Sequence, residues 1–440
     1  MSRRTRRRPV PQGEFSAEVV DLAADGRGVA RVDGKVIFLT GALPGERVRF
    51  RLTRTHHDTD EGLTTAVELA SPQRVVPRCA HFEVCGGCAL QHLAPEAQIA
   101  FKQKQLLDVL ARVGQVVPEQ VAEPVTGPAW AYRRRARLGV RWVYKKDRVL
   151  VGFRERTTPK IAVLSRCEIL DARVGTQLEP LAEMIGRLSI RDKIPQIEVA
   201  TSAQVVALVL RVMVPPSEGD RVILQDFAVR HGDCFYLQSG GANTVRPLSG
   251  TAPSLDYSPD GSALSLAFQP LDFVQINGVV SQKMVRQALA WLALQPGERV
   301  LELFSGLGNF SLPLAAAGAE VTAVEGEAAL VQRARDNAAR NGLSLRCVQA
   351  DLFQPDAHEP WLAGPWDAAL LDPPRAGARE ILPLVAAVAP PRIVYVSCHP
   401  GTLARDAALL ADHGYRLARA GVLDMFPHTA HVESMALFTR

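Results

Sequence analysis

The chain has 440 residues, of which 47% are hydrophobic and 22% are charged, and its formal net charge at pH 7 is +5. This length allows two to four domains with ordinary hydrophobic cores. The sequence contains no apolar run of about 18 residues, so we expect no membrane span. The basic N-terminus lacks the apolar segment of a secretory signal. The composition therefore favours a soluble, cytoplasmic, globular protein.

Positive charge is concentrated in two parts of the sequence. Five arginines lie in the first eight residues, which predicts a disordered basic tail over residues 1–9. A second group of arginines alternates with aromatic residues between Trp130 and Trp142. Guanidinium groups contact phosphates and aromatic rings stack on unpaired bases. The two groups favour a nucleic-acid partner over a merely solvated surface.

Short strands separated by turns follow the tail. Asp33-Gly34 lies between Val29–Val32 and Lys35–Leu39, a strong hairpin signal. Several such strands in succession predict a small closed β-barrel over residues 10–72. This segment resembles a TRAM domain, an OB-like RNA-binding barrel.

The cysteines suggest a metal site. There are seven, an odd number, and without a secretory signal metal binding or catalysis is favoured over disulfides. Cys79, Cys85 and Cys88 are closely spaced with two glycines among them, and Cys167 is a distant fourth candidate. Zinc and iron–sulfur clusters both accept four thiolates, but zinc sites usually pair their ligands in two short knuckles. The three-plus-one spacing favours a 4Fe–4S cluster over zinc, with His81 as an alternative ligand.

Residues 73–270 are predicted to form a mixed α+β central domain. A helix is expected over Pro95–Val113, followed by an antiparallel sheet whose strands include 136–143, 197–200 and 205–211. Residues 242–262 are rich in Pro, Gly, Ser and Asn, which predicts a loop or a boundary.

The last part of the chain, residues 271–440, alternates predicted strands and helices. This order predicts a doubly wound, Rossmann-like parallel sheet. A turn with Gly306 and Gly308 follows the first strand, and Glu325 and Asp351 follow the next two. The turn lacks the third glycine of a dinucleotide fingerprint, so its spacing favours S-adenosylmethionine over NAD.

Two later strands end in chemically useful residues. Asp372-Pro-Pro-Arg375 ends the fourth strand, and Cys398 ends the fifth, where open α/β sheets keep their ligands. A thiolate that adds to C6 of a pyrimidine activates C5 toward a methyl donor, and a base such as Glu433 would then remove the C5 proton. Taken alone, Cys398 would read as a core residue and Glu433 as a surface carboxylate.

These motifs together resemble the uracil-C5 RNA methyltransferase family. The residues that carry the resemblance are Phe273–Asn277, Phe304–Phe310, Asp372–Arg375, Ser397–Pro400 and His431–Glu433. With the barrel and the cysteines in front, the whole chain resembles the branch that acts on bacterial 23S rRNA. One departure is His399, which stands where the family usually has Asn.

The resemblance implies a role for each candidate residue. S-adenosylmethionine would contact Gln275, Phe304, Asn309, Glu325, Asp351 and Asp372. Cys398 would be the nucleophile and Glu433 the base. A 4Fe–4S cluster would be held by Cys79, Cys85, Cys88 and Cys167. The expected partner is a flipped uridine in a loop or single-stranded site of 23S rRNA, the expected state is a monomer, and residues 93–124 are expected to pack on the catalytic domain.

Three other functions stay open at this point. Methylation of a tRNA uridine uses the same chemistry, but those enzymes usually lack the barrel and the cluster. A cytosine-C5 methyltransferase would have proline before its cysteine, whereas this chain has Ser397. A non-catalytic iron–sulfur RNA-binding protein would not need both Cys398 and Glu433.

Overall fold

The computed structural model describes residues 10–251 and 253–440, which form two compact units. The basic tail predicted over residues 1–9 lies outside the described residues. Unit 1 holds the described residues up to Lys102 together with Glu155–Thr158 and Pro427–His431, and unit 2 holds Gln103–Arg154, Pro159–Phe426 and Val432–Arg440. None of the described helices has both the length and the apolar character needed to cross a membrane.

Five strands of unit 1 close into a barrel. They are β1 (Phe15–Leu22), β2 (Gly28–Val32), β3 (Lys35–Thr40), β4 (Arg47–Thr55) and β5 (Thr59–Leu69). The strand order is β1-β2-β3-β5-β4, and only β3 and β5 run parallel to each other. Alternate side chains point inward, so that Val19, Ala30, Leu39, Val48 and Phe50 fill the barrel. The predicted barrel is confirmed.

Helix α1 (Pro95–Arg112) follows the cysteine-rich loop. Its first part belongs to unit 1, where Phe101 packs with Leu43, Leu90 and Leu93. Residues 103–112 belong to unit 2, where Leu106 and Leu110 join a large buried core. The amphipathic pattern of one helix therefore supplies two different cores.

The first sheet of unit 2 has six strands. Its elements are β7 (Arg135–Val143), β8 (Arg148–Gly152), β9 (Gln196–Thr201), β10 (Val206–Arg211), β11 (Asp233–Gln238) and β12 (Arg246–Pro247), with α2 (Ala172–Gly175), α3 (Leu178–Gly186) and α4 (Glu218–His231) between them. A short strand, β6 (Gln120–Val121), precedes these and joins another sheet. The order is β12-β11-β10-β9-β7-β8.

Two expectations for this region were wrong. The sheet is not wholly antiparallel, because β10 and β11 run parallel. Helix α4 makes the crossover that a parallel pair needs, and Ser217 and Asp220 form a capping box at its start. The expected loop over residues 242–262 contains β12 and β13 (Leu255–Tyr257), and β13 pairs with β14 (Leu266–Phe268).

The second sheet of unit 2 is the predicted Rossmann-like sheet. Its elements are α5 (Gly278–Leu292), β15 (Arg299–Leu303), α6 (Ser311–Ala316), β16 (Glu320–Glu325), α7 (Ala328–Arg340), β17 (Arg346–Gln349), β18 (Ala368–Leu371), α8 (Leu382–Ala387), β19 (Arg392–Ser397), α9 (Pro400–Asp412), β20 (Arg416–Leu423) and β21 (Glu433–Thr439). The order is β17-β16-β15-β18-β19-β21-β20-β6. Strands β15 to β19 are parallel, and β21 lies antiparallel between β19 and β20.

The order of this sheet places its ligand crevice. The chain moves outward from β15 through β16 to β17, and then returns to the other side of β15 with β18. Open α/β sheets bind ligands at such a switch point, beyond the carboxyl ends of the strands. Buried side chains cover both faces of the sheet, which holds the strand ends in fixed positions.

Candidate active site

The turn after β15 lies at the switch point. Phe304 has a positive φ of 61°, and Gly306 and Gly308 have φ values of 56° and 99°. A Cβ added at Gly308 would lie 2.6 Å from Leu312 Cδ1. The turn therefore needs glycine at this position both for its conformation and for the close approach of α6.

Acidic side chains surround this turn. Glu302 is buried, and Ser311 donates a hydrogen bond to its carboxylate. Burial raises the pKa of Glu302 to about 8, the Ser311 bond opposes this, and the charges of Asp372 and Glu325 add to the rise. Glu325 accepts hydrogen bonds from the backbone N–H groups of Gly306 at 3.0 Å and Glu327 at 2.9 Å. Glu325, which is expected to contact S-adenosylmethionine, thus also fixes the conformation of the turn.

Asp372 and Gln275 meet at the end of β18. Gln275 Nε2 donates to Asp372 Oδ2 at 3.4 Å. Burial raises the pKa of Asp372 to about 7, and the Gln275 bond lowers it in part. A carboxyl group desolvated in this way favours a positively charged ligand, because such a ligand would compensate the lost hydration.

The remaining predicted cofactor residues border the same turn. Tyr257 donates to Asn309 Oδ1 at 3.0 Å, and Asn309 Nδ2 is buried with no hydrogen-bond partner in the part of the chain that the structure describes. Asp351 is exposed and its Oδ1 accepts from the Phe353 backbone at 2.9 Å. The Phe353 ring lies 5.8 Å from that of Phe304. The donor at Asn309 and the two rings suit a polar ligand with a flat base.

Arg134 and Tyr257 support this site, and sequence reasoning missed both roles. Arg134 Nε donates to the Gln275 carbonyl at 2.6 Å, and its guanidinium lies 4.4 Å from the centre of the Tyr257 ring. The sequence places Arg134 in the arginine group expected to contact RNA, and it places Tyr257 in the segment expected to be a loop or a boundary. No local pattern pairs residues so far apart in sequence.

The register of β19 and β21 brings the two predicted catalytic residues together. Ser397 pairs with Ser434 in this antiparallel ladder, so one further step places Cys398 opposite Glu433. Glu433 is buried and Cys398 is half-buried. Burial raises the pKa of the Cys398 thiol to about 11, the charges of Glu433 and Asp372 add to the rise, and Arg375 opposes it.

His399 caps the helix that follows the cysteine. It is the N-cap residue of α9, and its Nδ1 accepts a hydrogen bond from the Thr402 backbone at 3.3 Å. Asparagine is a preferred N-cap because its side-chain oxygen accepts the same kind of bond. His399 therefore fulfils the structural role expected of asparagine at this position.

Asp406 on α9 anchors the loop after β18. Its Oδ2 accepts from the Ala378 backbone at 2.8 Å and from the Tyr395 hydroxyl at 2.6 Å, and Oδ1 lies 2.7 Å from Arg405 Nη2. The carboxylate is fully buried. Arg405 also donates to the Ala376 carbonyl at 2.8 Å. The loop that carries Asp372 and Arg375 is thus tied to the strand that carries Cys398.

The four cysteines predicted to bind metal are divided between the units. Cys79, Cys85 and Cys88 lie on one loop of unit 1, and Cys167 lies in unit 2. In the loop, the Gly87 backbone donates to Cys85 Sγ at 3.4 Å, and Arg156 donates to the Cys88 carbonyl at 2.8 Å. No group of three or more His, Cys, Asp or Glu side chains placed to hold a metal is found within residues 10–251 and 253–440.

Curated relatives cover the whole chain. The 23S rRNA (uracil(1939)-C(5))-methyltransferase RlmD of Alkalilimnicola ehrlichii is 50% identical over 99% of this chain and 98% of its own. That of Methylococcus capsulatus is 46% identical over 100% of both chains. The chain belongs to the RNA uracil-C5 methyltransferase family. The activity of the family is transfer of a methyl group from S-adenosylmethionine to C5 of uracil in RNA.

Two further comparisons agree with this membership. The family described as tRNA (Uracil-5-)-methyltransferase matches residues 261–349 and 365–440. The crystal structure of Pyrococcus abyssi tRNA (uracil-54, C5)-methyltransferase in complex with S-adenosyl-L-homocysteine superimposes with a TM-score of 0.74 and 24% identity, covering 96% of this chain and 99% of the other. At that identity the likeness shows a shared fold.

Within this uracil-C5 methyltransferase, the predicted residues gather at one edge of the second sheet. Glu325 is the last residue of β16, Asp372 follows β18, Cys398 follows β19, and Glu433 is the first residue of β21. Gln275 reaches Asp372 by its hydrogen bond. The arrangement combines a thiol, a carboxylate beside it and a desolvated acidic wall at one edge of the sheet.

Proposed function

We propose that this enzyme methylates C5 of a uridine in 23S rRNA through a covalent adduct with Cys398. The observation that carries the proposal is the register of β19 and β21, which places Cys398 and Glu433 one step beyond the Ser397–Ser434 pair, where the charges of Glu433 and Asp372 both act on the thiol. The choice of 23S rRNA is supported by the names of relatives that match 97% or more of this chain, so that barrel, cysteine loop and catalytic sheet are all included.

Gln275, Phe304, Asn309, Glu325, Asp351 and Asp372 are proposed to hold S-adenosylmethionine. This ligand carries a positive sulfonium, and the raised pKa values of Asp372 and Glu302 mark a wall that a cation would stabilise. The unpartnered, buried Asn309 Nδ2 can donate to a ligand. These features of the described residues fit the methyl donor.

The proposed reaction starts with Cys398. Its thiolate forms a bond to C6 of the uracil, and the C5–C6 electron pair moves toward O4 to give an enolate. C5 then attacks the methyl group of the donor, which leaves S-adenosylhomocysteine. Glu433 takes the C5 proton, the C5–C6 double bond forms again, and the Cys398 thiolate is expelled.

The free enzyme holds this nucleophile in its protonated form. A thiol with a pKa of about 11 is almost wholly protonated at neutral pH. Positive charge favours the thiolate, and the sulfonium of the bound donor supplies such charge. We propose that binding of the donor raises the thiolate fraction of Cys398.

The decisive experiment is methylation of total RNA from cells that lack the enzyme. Purified protein and radiolabelled donor should label 23S rRNA at one uridine, whereas Cys398→Ala should label nothing. Label in tRNA with none in 23S rRNA would contradict the proposed substrate. Label in neither RNA would contradict the proposed function.

We also propose that Cys79, Cys85, Cys88 and Cys167 hold a 4Fe–4S cluster. The three-plus-one spacing and the hydrogen bond from Gly87 to Cys85 Sγ support this, because clusters are held by four thiolates and tuned by N–H donors. Anaerobically purified protein should contain about four irons per chain. Cys88→Ser should lose the iron and the matched control Cys347→Ser should keep it. Stoichiometric zinc without iron would contradict the cluster.

The domain boundaries of this enzyme are proposed from sequence and topology together. Residues 10–72 would be an RNA-binding TRAM-like barrel, 73–270 the central domain and 271–440 the catalytic domain. The closed barrel and the second sheet support the first and the last of these divisions. Leu106 and Leu110 support the assignment of helix α1 in part to the catalytic core.

A further inference from the structure

One face of the six-stranded sheet in unit 2 is half covered and half open. Its apolar half holds Ala200, Val209 and Tyr236, which pack against Leu255 and Phe268 of the β13–β14 hairpin. The other half is polar and forms an open cleft of about 290 Å³. Its side chains come from four neighbouring strands: Arg135, Arg137, Gln196, Glu198, Arg211 and Gln238.

The strand register explains why these side chains share a face. Arg211 of β10 pairs directly with Gln196 of β9 and with Gln238 of β11. Arg137 of β7 pairs with Glu198 of β9. Directly opposed residues in neighbouring strands point to the same side of a sheet. The six polar side chains of the cleft are therefore placed by the pairing of the strands.

Positive charge predominates in the cleft. Glu198 is its single acid, and its Oε1 is shared by Arg137 Nε at 2.5 Å and Gln196 Nε2 at 2.7 Å. Arg135 and Arg211 add two further guanidinium groups, and Arg211 is exposed. The lining thus offers guanidinium and amide donors and almost no apolar anchor, which suits an anion with several acceptor oxygens.

The cleft also adjoins the segment that leads into the active site. Leu271 lines it, and Arg135 donates to the Pro270 carbonyl. Gln275, which binds Asp372, follows Leu271 by four residues, a chain length of at most about 14 Å. An anion in the cleft would therefore lie near the Gln275–Asp372 pair of the proposed active site.

We propose that this cleft binds a backbone phosphate of the RNA substrate, close to the target uridine. The proposal rests on the proposed function, because it assumes that RNA is the substrate. Its role is to fix the register of the strand, since phosphate contacts position a nucleic acid whereas base contacts specify its sequence. Arg211 is the main test residue, because it is exposed and its removal leaves Glu198 with both of its partners.

The test uses full-length enzyme and an RNA fragment that wild-type enzyme methylates. Arg211→Gln should raise the KM for RNA several-fold and leave kcat unchanged. In a plot of log affinity against log salt concentration, the magnitude of the slope should fall by about 0.7, which is the contribution of one contact to a single-strand phosphate. Arg211→Lys should restore most of the slope. The matched control Arg340→Gln, an exposed arginine at the end of α7, should change neither quantity.

A second measurement identifies the phosphate itself. Neutral methylphosphonate linkages are placed one at a time near the uridine, and one of them should weaken binding by the wild type. The Arg211→Gln variant should bind the RNA with that linkage as tightly as it binds unmodified RNA. An unchanged salt slope and an unchanged KM for Arg211→Gln would overturn the proposal. Failure of the wild type to methylate RNA would instead refute the proposed function.

Discussion

Replacing Glu433 with glutamine should make Cys398 more reactive toward an alkylating reagent in the free enzyme. The charge of Glu433 helps to raise the pKa of this thiol to about 11, after burial, which is the larger cause. Removing the charge of Glu433 lowers the pKa of the Cys398 thiol. At a pH below that pKa, a larger fraction of Cys398 is then thiolate. Because only the thiolate is alkylated, the rate rises in proportion.

The size of the expected rate increase follows from the distance between Cys398 and Glu433 and from their exposure to solvent. Two charges roughly 5 Å apart interact by about 3 kcal/mol at an effective dielectric constant of 20. Cys398 is half-buried, and solvent screening reduces this to roughly half. About 1.4 kcal/mol corresponds to one pKa unit, so we expect alkylation about tenfold faster at pH 8 to 9.

The assay is iodoacetamide labelling, followed by mass spectrometry of the peptide that contains Cys398. The rate should rise with pH toward the thiol pKa, and the curve for Glu433→Gln should lie at lower pH than that of the wild type. Glu320→Gln, at an exposed carboxylate on β16, is the matched control and should behave as wild type. Equal rates for Glu433→Gln and wild type would refute the electrostatic coupling of the two residues.

Two further predictions concern the supports of the site. His399→Ala should lower the free energy of unfolding by about 1 kcal/mol through loss of the α9 cap, as measured by urea denaturation. His399→Asn should retain the wild-type free energy of unfolding. Equal losses in both variants would contradict the capping role. Asp406→Ala should lower the free energy of unfolding by about 3 kcal/mol, because it leaves a buried backbone N–H and the Tyr395 hydroxyl without their acceptor. Tyr395→Phe should lower it by about 1 kcal/mol. A small effect of Asp406→Ala would show that the loop keeps its conformation without this contact.

Local patterns in the sequence were enough for the elements that carry the chemistry. The strand that ends at Cys398 is where it was predicted, and the ladder between β19 and β21 places Glu433 opposite that cysteine. The glycine turn after β15 was likewise predicted from its spacing, and the φ values of Gly306 and Gly308 explain its composition.

Features that depend on contacts between distant residues could not be predicted. Arg134 lies over Tyr257, and neither position carries a local signal for the other. The parallel pairing of β10 and β11 depends on a crossover helix, α4, which sequence analysis did not identify. The capping role of His399 could be recognised only from the structure, since histidine is not a usual N-cap residue.

The central claim is that Cys398 attacks C6 and Glu433 completes the reaction. Denaturing gel electrophoresis of enzyme incubated with S-adenosylmethionine and the RNA fragment tests it directly. Glu433→Gln should give a methylated protein–RNA band, because the adduct forms and the C5 proton has no acceptor, and RNA containing 5-fluorouridine should trap the wild type in the same way. Cys398→Ala should give no band and no methylation. Normal turnover by Glu433→Gln, or methylation by Cys398→Ala, would contradict the account.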